Sequence, residues 1–145
     1  PLWSWYDFSF GPLNQKLEST WADFRACRWP QGWDAEDIAA HFFALNPLLT
    51  RDPGRRVISF SHFLPRIDVM PVLIPPSFRY LYPVLGSTRL DGLVQQLGSF
   101  LHVYGHSHVN RRVKLDGCLY VNSALAYPSE EGISARTLLC VHEES

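Results

Sequence analysis

A mixed α/β chain of the α+β kind is predicted by three observations. Two runs, Val57-Ile58-Ser59-Phe60-Ser61 and Leu101-His102-Val103-Tyr104, have the β-branched and aromatic content of strands. Two stretches with helical spacing each begin after a capping residue, Asp34 or Ser87. Asp116-Gly117, set between two further strand-like runs, is the strongest short hairpin signal in the chain. With 145 residues, 46% of them hydrophobic and 14% aromatic, the chain has enough apolar material for one buried core and counts as one domain.

In chain order, Pro1 to Phe10 carries Trp3, Trp5, Tyr6, Phe8 and Phe10, a density that suits a buried strand and the loop leaving it. Such a strand needs neighbours for its backbone hydrogen bonds. Leu17 to Cys27 reads as a short helix, with Leu17, Trp21 and Phe24 on one face, closed off by Trp29-Pro30-Gln31-Gly32. Asp34 caps a helix over Ala35 to Leu45, where Glu36 and Asp37 favour the helix dipole and Ile38, Phe42 and Leu45 share a face; Asn46-Pro47 stops it. Arg51-Asp52-Pro53-Gly54 is a turn before the first strand, which leads into His62. Pro65 to Pro83 is a long Pro-rich passage with little periodicity. Ser87 caps a helix over Thr88 to Leu97 that Gly98 ends. The remainder is expected to be antiparallel: Arg111 to Leu115 and Cys118 to Asn122 form the hairpin, and Thr137 to His142 reads as a last strand.

The charge balance narrows the partners. Net charge is −1 and the sequence pI is about 6.7, so no basic field favours a nucleic acid. Arg55-Arg56 and Arg111-Arg112 are short pairs, and counterion release needs several aligned cations. Cys27, Cys118 and Cys140 are an odd count with no Cys-x-x-Cys pair and no signal-like apolar lead, which favours a reducing, cytoplasmic setting. Cys118 and Cys140 lie in apolar runs and read as small buried hydrophobes. No apolar run has the length of a membrane span, so a soluble protein is expected.

Chemistry concentrates where the strands end. His62 follows the first strand, and Gly105-His106-Ser107-His108 follows the second, with two imidazoles two residues apart. Neutral imidazole is the commonest metal ligand, and strand ends hold ligands more rigidly than loops do. His41 lies on a helix and is read as an ordinary surface or core residue. Spacing excludes other chemistries. His102, His106 and His108 do not alternate as three histidines on one strand must. Val109-Asn110 stands where a metallo-β-lactamase type site continues with Asp-His. His-Glu-x-x-His and Gly-x-Ser-x-Gly are both absent.

An isolated strand-end His followed by Gly-His-x-His and a hairpin resembles the last two motifs of the calcineurin-like metallophosphoesterases. Trp5-Tyr6-Asp7-Phe8-Ser9-Phe10 and Tyr82-Pro83-Val84-Leu85-Gly86-Ser87-Thr88-Arg89-Leu90 also resemble a branch found in plants and some microbes, so the likeness covers nearly the whole chain. The resemblance implies a β-sandwich flanked by helices and a two-metal site for a phosphate ester substrate. His62 and His106 would bind one metal and His108 the other, with manganese, iron or zinc all compatible with mixed nitrogen and oxygen ligation. The metals would hold the phosphoryl oxygens and lower the pKa of a bridging water for in-line displacement.

The chain departs from that pattern in its acidic members. Asp-x-His, Gly-Asp-x-x-Asp and Gly-Asn-His occur nowhere in it. Two divalent ions about 4 Å apart repel by roughly 16 kcal/mol at an effective dielectric near 20, so a bridging carboxylate is required. Three imidazoles cannot provide one. Residues 1–145 are therefore expected to be the C-terminal half of such a domain, inactive without its N-terminal half and binding at most one metal, weakly. The competing expectation is a non-catalytic binding or scaffold module with Pro65 to Pro83 as its contact surface.

Arg66 and Arg89 are candidate phosphate contacts because a guanidinium fork matches phosphate geometry, with surface salt bridges as the alternative. Asn122 is expected to tie the histidine loop through backbone bonds. Asp68 and Asp116 are assigned no ligand role, Asp116 being explained by its turn. Trp29 and Trp33 read as packing rather than as pocket lining.

Overall fold

The structure, a computed structural model, describes residues 1–47, 50–130, 132, 134 and 137–143. A four-stranded mixed sheet lies at its centre, built from β1 (Val57–Phe60), β2 (Ser99–Tyr104), β3 (Arg111–Leu115) and β4 (Cys118–Asn122) in the order β1-β2-β4-β3. β2 runs parallel to both β1 and β4, and only β3 with β4 is antiparallel. The expected antiparallel remainder thus holds for the hairpin but not for its attachment to β2. A parallel neighbour needs a long crossover, and α4 (Thr88–Leu97) provides it between β1 and β2.

Burial follows that order. β2 and β4 are central and mostly buried, whereas β1 and β3 are edges that alternate toward solvent. Leu64, Val69, Leu90, Val94, Tyr104 and Tyr120 form the main core between the sheet and α4. A smaller core joins Tyr6, Leu17, Phe63 and Val84 beside the C-terminal end of β1.

The capped helices form as expected. The Asp34 side chain accepts from the Asp37 amide at 3.0 Å while Asp37 accepts from the Asp34 amide at 3.1 Å, a reciprocal cap that starts α3 (Ala35–Ala44). The Ser87 hydroxyl accepts from Arg89 N at 3.1 Å to start α4, and Gly98 closes it at φ 62°, a left-handed conformation glycine takes without steric cost. Gly86 is needed for a different reason: a Cβ there would fall on the Leu64 carbonyl, where the two segments form an isolated parallel bridge.

Five further expectations are corrected. The N-terminal run is extended but forms no strand; one ladder-like bond joins Leu2 N to Phe60 O at 2.8 Å, and the Asn46 side chain then takes over. It accepts from Trp3 N at 2.8 Å and donates to Trp3 O at 2.9 Å, doing for one residue what a neighbouring strand does for many. The Leu17–Cys27 helix is split into α1 (Gln15–Thr20) and α2 (Asp23–Ala26), because Trp21 is extended at ψ 127° with its indole bonded to Asp23. The Pro-rich passage contains two 3-10 segments, Ile67–Val69 and Pro76–Val84. Residues 137–142 form no strand, and Cys140 is exposed where a buried thiol was expected; among the described residues no backbone hydrogen bond ties them to a strand, although Thr137 and Leu139 lie near Arg111 and Val121. No helix among the described residues is long and apolar enough to cross a membrane.

Candidate metal centre

β1 and β2 end side by side, and their backbones carry the pairing past the last strand residue. Ser61 N bonds Val103 O at 3.0 Å and Gly105 N bonds His62 O at 3.1 Å. The Ser61 hydroxyl donates to Phe63 O at 2.7 Å and so fixes the turn that presents His62. His62 and His106 are thereby brought edge to face with ring centroids 4.8 Å apart.

Their hydrogen bonds assign the tautomers. His106 Nε2 lies 3.1 Å from the Val84 carbonyl, which only accepts, so Nε2 carries the proton and Nδ1 presents a lone pair. His62 Nε2 lies 2.9 Å from that lone pair and donates to it. Both rings are held neutral. Burial pushes His106 down to about 4, with His62 and His108 adding to the effect, and burial also lowers His62 against the opposing pull of the Asp23 carboxylate.

His108 is turned elsewhere. Its Nδ1 meets Glu130 Oε2 at 2.9 Å, and its ring lies 5.0 Å from that of Tyr127. Glu130 Oε2 also accepts from Tyr127 N at 2.8 Å, and this backbone bond, followed by His108, lowers the Glu130 carboxyl below its ordinary range. His108 is still close enough for its charge to act on both other imidazoles.

The loop that carries these rings is strained. His106 has φ 64° and His108 φ 53°, both in the left-handed region that residues with a Cβ avoid. Asn122, at the end of β4, holds it there: its Nδ2 donates to Ser107 Oγ at 2.9 Å and to Gly105 O at 3.4 Å. The expected tie by Asn122 is thus present, made to one backbone and one side-chain oxygen.

No family model, curated protein or solved structure matches this chain. Its chemistry must therefore be argued from its own residues.

His62 Nε2 and His106 Nδ1 suit one metal ion. Two nitrogens at metal distances of about 2.1 Å stand about 3.0 Å apart at an octahedral right angle and about 3.4 Å apart at the tetrahedral angle, so the 2.9 Å here is nearer the octahedral value. The bond from His106 Nε2 to a backbone carbonyl is the outer contact that usually orients a ligating imidazole. Moving the His62 proton to its Nδ1 would give both ligand atoms free lone pairs. Among the described residues, however, no three His, Cys, Asp or Glu side chains are grouped to hold an ion.

The structure does not bring Arg66 or Arg89 to this pair. Arg66 bonds Asp68 at 2.6 and 2.8 Å, Asp116 at 2.5 Å, and approaches Asp91 at 3.5 Å. Asp116 is at the hairpin turn, so the guanidinium sits about 13 Å along β4 from the Asn122 end, at a strand rise of about 3.3 Å per residue. Arg89 bonds Glu36 at 2.7 Å and lies 4.7 Å from the Phe43 ring centroid, linking α4 to α3.

Sequence reasoning missed Trp21, Asp23 and Glu130. Trp21 packs its ring edge against His106 at 5.8 Å, and Asp23 accepts from its indole at 3.0 Å while acting electrostatically on His62. The helical spacing of Trp21 marks only a core position. Glu130, 22 residues beyond His108, has no spacing signal at all.

Proposed function

We propose that this chain is the histidine-bearing C-terminal half of a calcineurin-like metallophosphoesterase domain and contributes to hydrolysis of a phosphate ester. The observation that carries the reading is the 2.9 Å approach of His62 Nε2 to His106 Nδ1, with His106 Nε2 anchored on Val84 O. His62 and His106 would hold one divalent ion of manganese, iron or zinc, and His108 would serve a second. Such ions supply Lewis acidity toward a phosphoryl oxygen and a lowered pKa for water. The chain's own contribution is to hold two neutral imidazoles in fixed orientation, His62 toward solvent and His106 half-buried; Phe63, 4.7 Å from His106, and Trp21 keep water from that ring.

The carboxylates that would complete a binuclear centre come, in this reading, from a second half of the domain. Support lies along β1, an edge strand with Ile58 and Phe60 exposed at 42% and 52%. Beside it an apolar cavity of about 380 Å³, lined by Leu2, Trp3, Trp5, Phe42 and Phe60, reaches His62. Free Cys27, Cys118 and Cys140 accord with a cytoplasmic setting.

The test compares this chain with the same chain joined to an acidic half carrying Asp-x-His, Gly-Asp-x-x-Asp and Gly-Asn-His, on an aryl phosphate with manganese. Activity is expected only in the joined protein and lost in His106→Ala. Turnover by the 145-residue chain that disappears in His106→Ala would refute the division of labour. A second reading, a non-catalytic binding module, is favoured by one observation: Val72, Leu73 and Phe78 of the Pro-rich passage are exposed at 84%, 92% and 58%. Inactivity of the joined protein together with retained partner binding would select it.

A further inference from the structure

A second cavity, of about 240 Å³, lies between the N-terminal segment, α2 and the start of α3. Trp5, Tyr6, Phe8, Phe24, Trp29 and Trp33 line it, together with the carboxylates Asp23 and Asp34. Trp5 stacks one face on Phe42 at 5.3 Å, and the edge contacts among the other rings frame the space. Trp5 and Trp29 meet at 75° with centroids 5.1 Å apart, and Tyr6 and Phe24 at 88° and 6.3 Å, so the pairs form two corners of a box. Trp29, Trp33 and Phe24 stay more than a third exposed, unlike rings spent on core packing. Phe8 takes φ 59°, a conformation unfavourable for a bulky residue, in the segment that brings its ring to the cavity.

We infer that this box binds a small, soluble quaternary ammonium compound of the choline type. Aromatic faces are attractive to a cation and best suited to one that is weakly hydrated. The two carboxylates supply the matching charge, and they would repel a phosphate. No lysine, arginine or histidine lines the cavity, and the neighbouring Arg25 and Arg28 are bonded to the Thr20 and Arg25 carbonyls, so no cation of this chain fills it among the described residues. A primary ammonium needs several good acceptors, yet Asp23 Oδ2 already takes bonds from Trp21 and Tyr6, and Asp34 Oδ1 takes the Asp37 amide. A methylated ammonium asks for none of these. The volume is below the ~300–1,000 Å³ of pockets for drug-sized ligands, which fits a headgroup-sized molecule.

Calorimetric titration of the chain with tetramethylammonium and choline chlorides, against sodium chloride at equal ionic strength, tests this. Saturable binding near about 1 mM is expected for both, with ammonium chloride at least about tenfold weaker. Trp29→Ala should weaken binding about tenfold. Asp34→Asn, which keeps the helix cap while removing the charge, should weaken it several-fold, and circular dichroism identifies any variant that fails to fold. Absence of saturable heat, equal affinity for ammonium, or affinity unchanged in a folded Asp34→Asn protein would overturn the inference. Binding confined to phosphatidylcholine vesicles, with none to free choline, would overturn it as well.

Discussion

His102 lies inside β2 and His106 two residues beyond its end, and their surroundings differ. His102 is fully buried and has both ring nitrogens satisfied inside the sheet: Ser59 Oγ at 2.8 Å from Nδ1 and Ser61 Oγ at 3.0 Å from Nε2. Because Ser61 donates onward to Phe63 O, its oxygen accepts from His102 Nε2, and Ser59 donates to Nδ1. His106 instead faces a second imidazole across 2.9 Å. Burial keeps both rings neutral, at about 3 for His102 and about 4 for His106. Depressed basicity therefore does not separate the structural imidazole from the one proposed as a ligand. What separates them is the identity of the hydrogen-bond partners, two hydroxyls that close a network in one case and a second imidazole in the other.

The sharpest way to break this contrast is to delete each ring in turn. His102→Ala should cost about 2–4 kcal/mol in urea denaturation, from the cavity and two stranded hydroxyls, the largest effect expected here. His106→Ala should cost about 1–2 kcal/mol, yet reduce zinc or manganese affinity at least about tenfold by calorimetry. Metal affinity that survives His106→Ala would erase the distinction.

Acid treatment probes the property the two rings share. Both have folded-state pKa values below the ordinary 6.5, so between 6.5 and about 4 the unfolded chain binds protons that the native one does not. Their contribution is fully present above pH 6.5 and is lost as the pH falls through this window, by about 1.4 kcal/mol per pH unit for each ring. Denaturation at pH 7, 5.5 and 4.5 should show this slope reduced by one ring's share in His102→Gln. The smallest effect belongs to the outlying imidazole: Glu130→Gln removes a partly exposed pair and should change stability by less than about 1 kcal/mol in the same assay. A larger loss would mean that the Glu130 contact, rather than Asn122, holds the loop.

How much of this could be read beforehand depends on the range of the interaction. Asp34, Ser87 and Gly98 act within a few residues, so both capped helices were legible, as was the hairpin at Asp116-Gly117. The convergence of strand ends at His62 and Gly105 followed from strands whose last residues were visible in composition. The parallel attachment of β4 to β2 left no mark, since it is decided by which faces remain to be covered. Trp21 broke a well-patterned helix because its local indole bond to Asp23 and its tertiary contact with His106 outweighed helix propensity. The aromatic N-terminal run had strand composition but no free ladder beyond Phe60 O. Asp23 and Glu130 come near the histidines through folding alone.

Asn46 fastens the wall of the cavity beside His62. Two amide bonds to Trp3 and one backbone bond at Leu2 hold the residues that roof the cavity beside His62. Releasing them would break three hydrogen bonds, about 1 kcal/mol each, and would also take Leu2 out of the main core, while every pairing of the four strands stayed intact. The first residues are thus fastened along the edge of β1 by side-chain and core contacts separate from the ladder that joins the four strands.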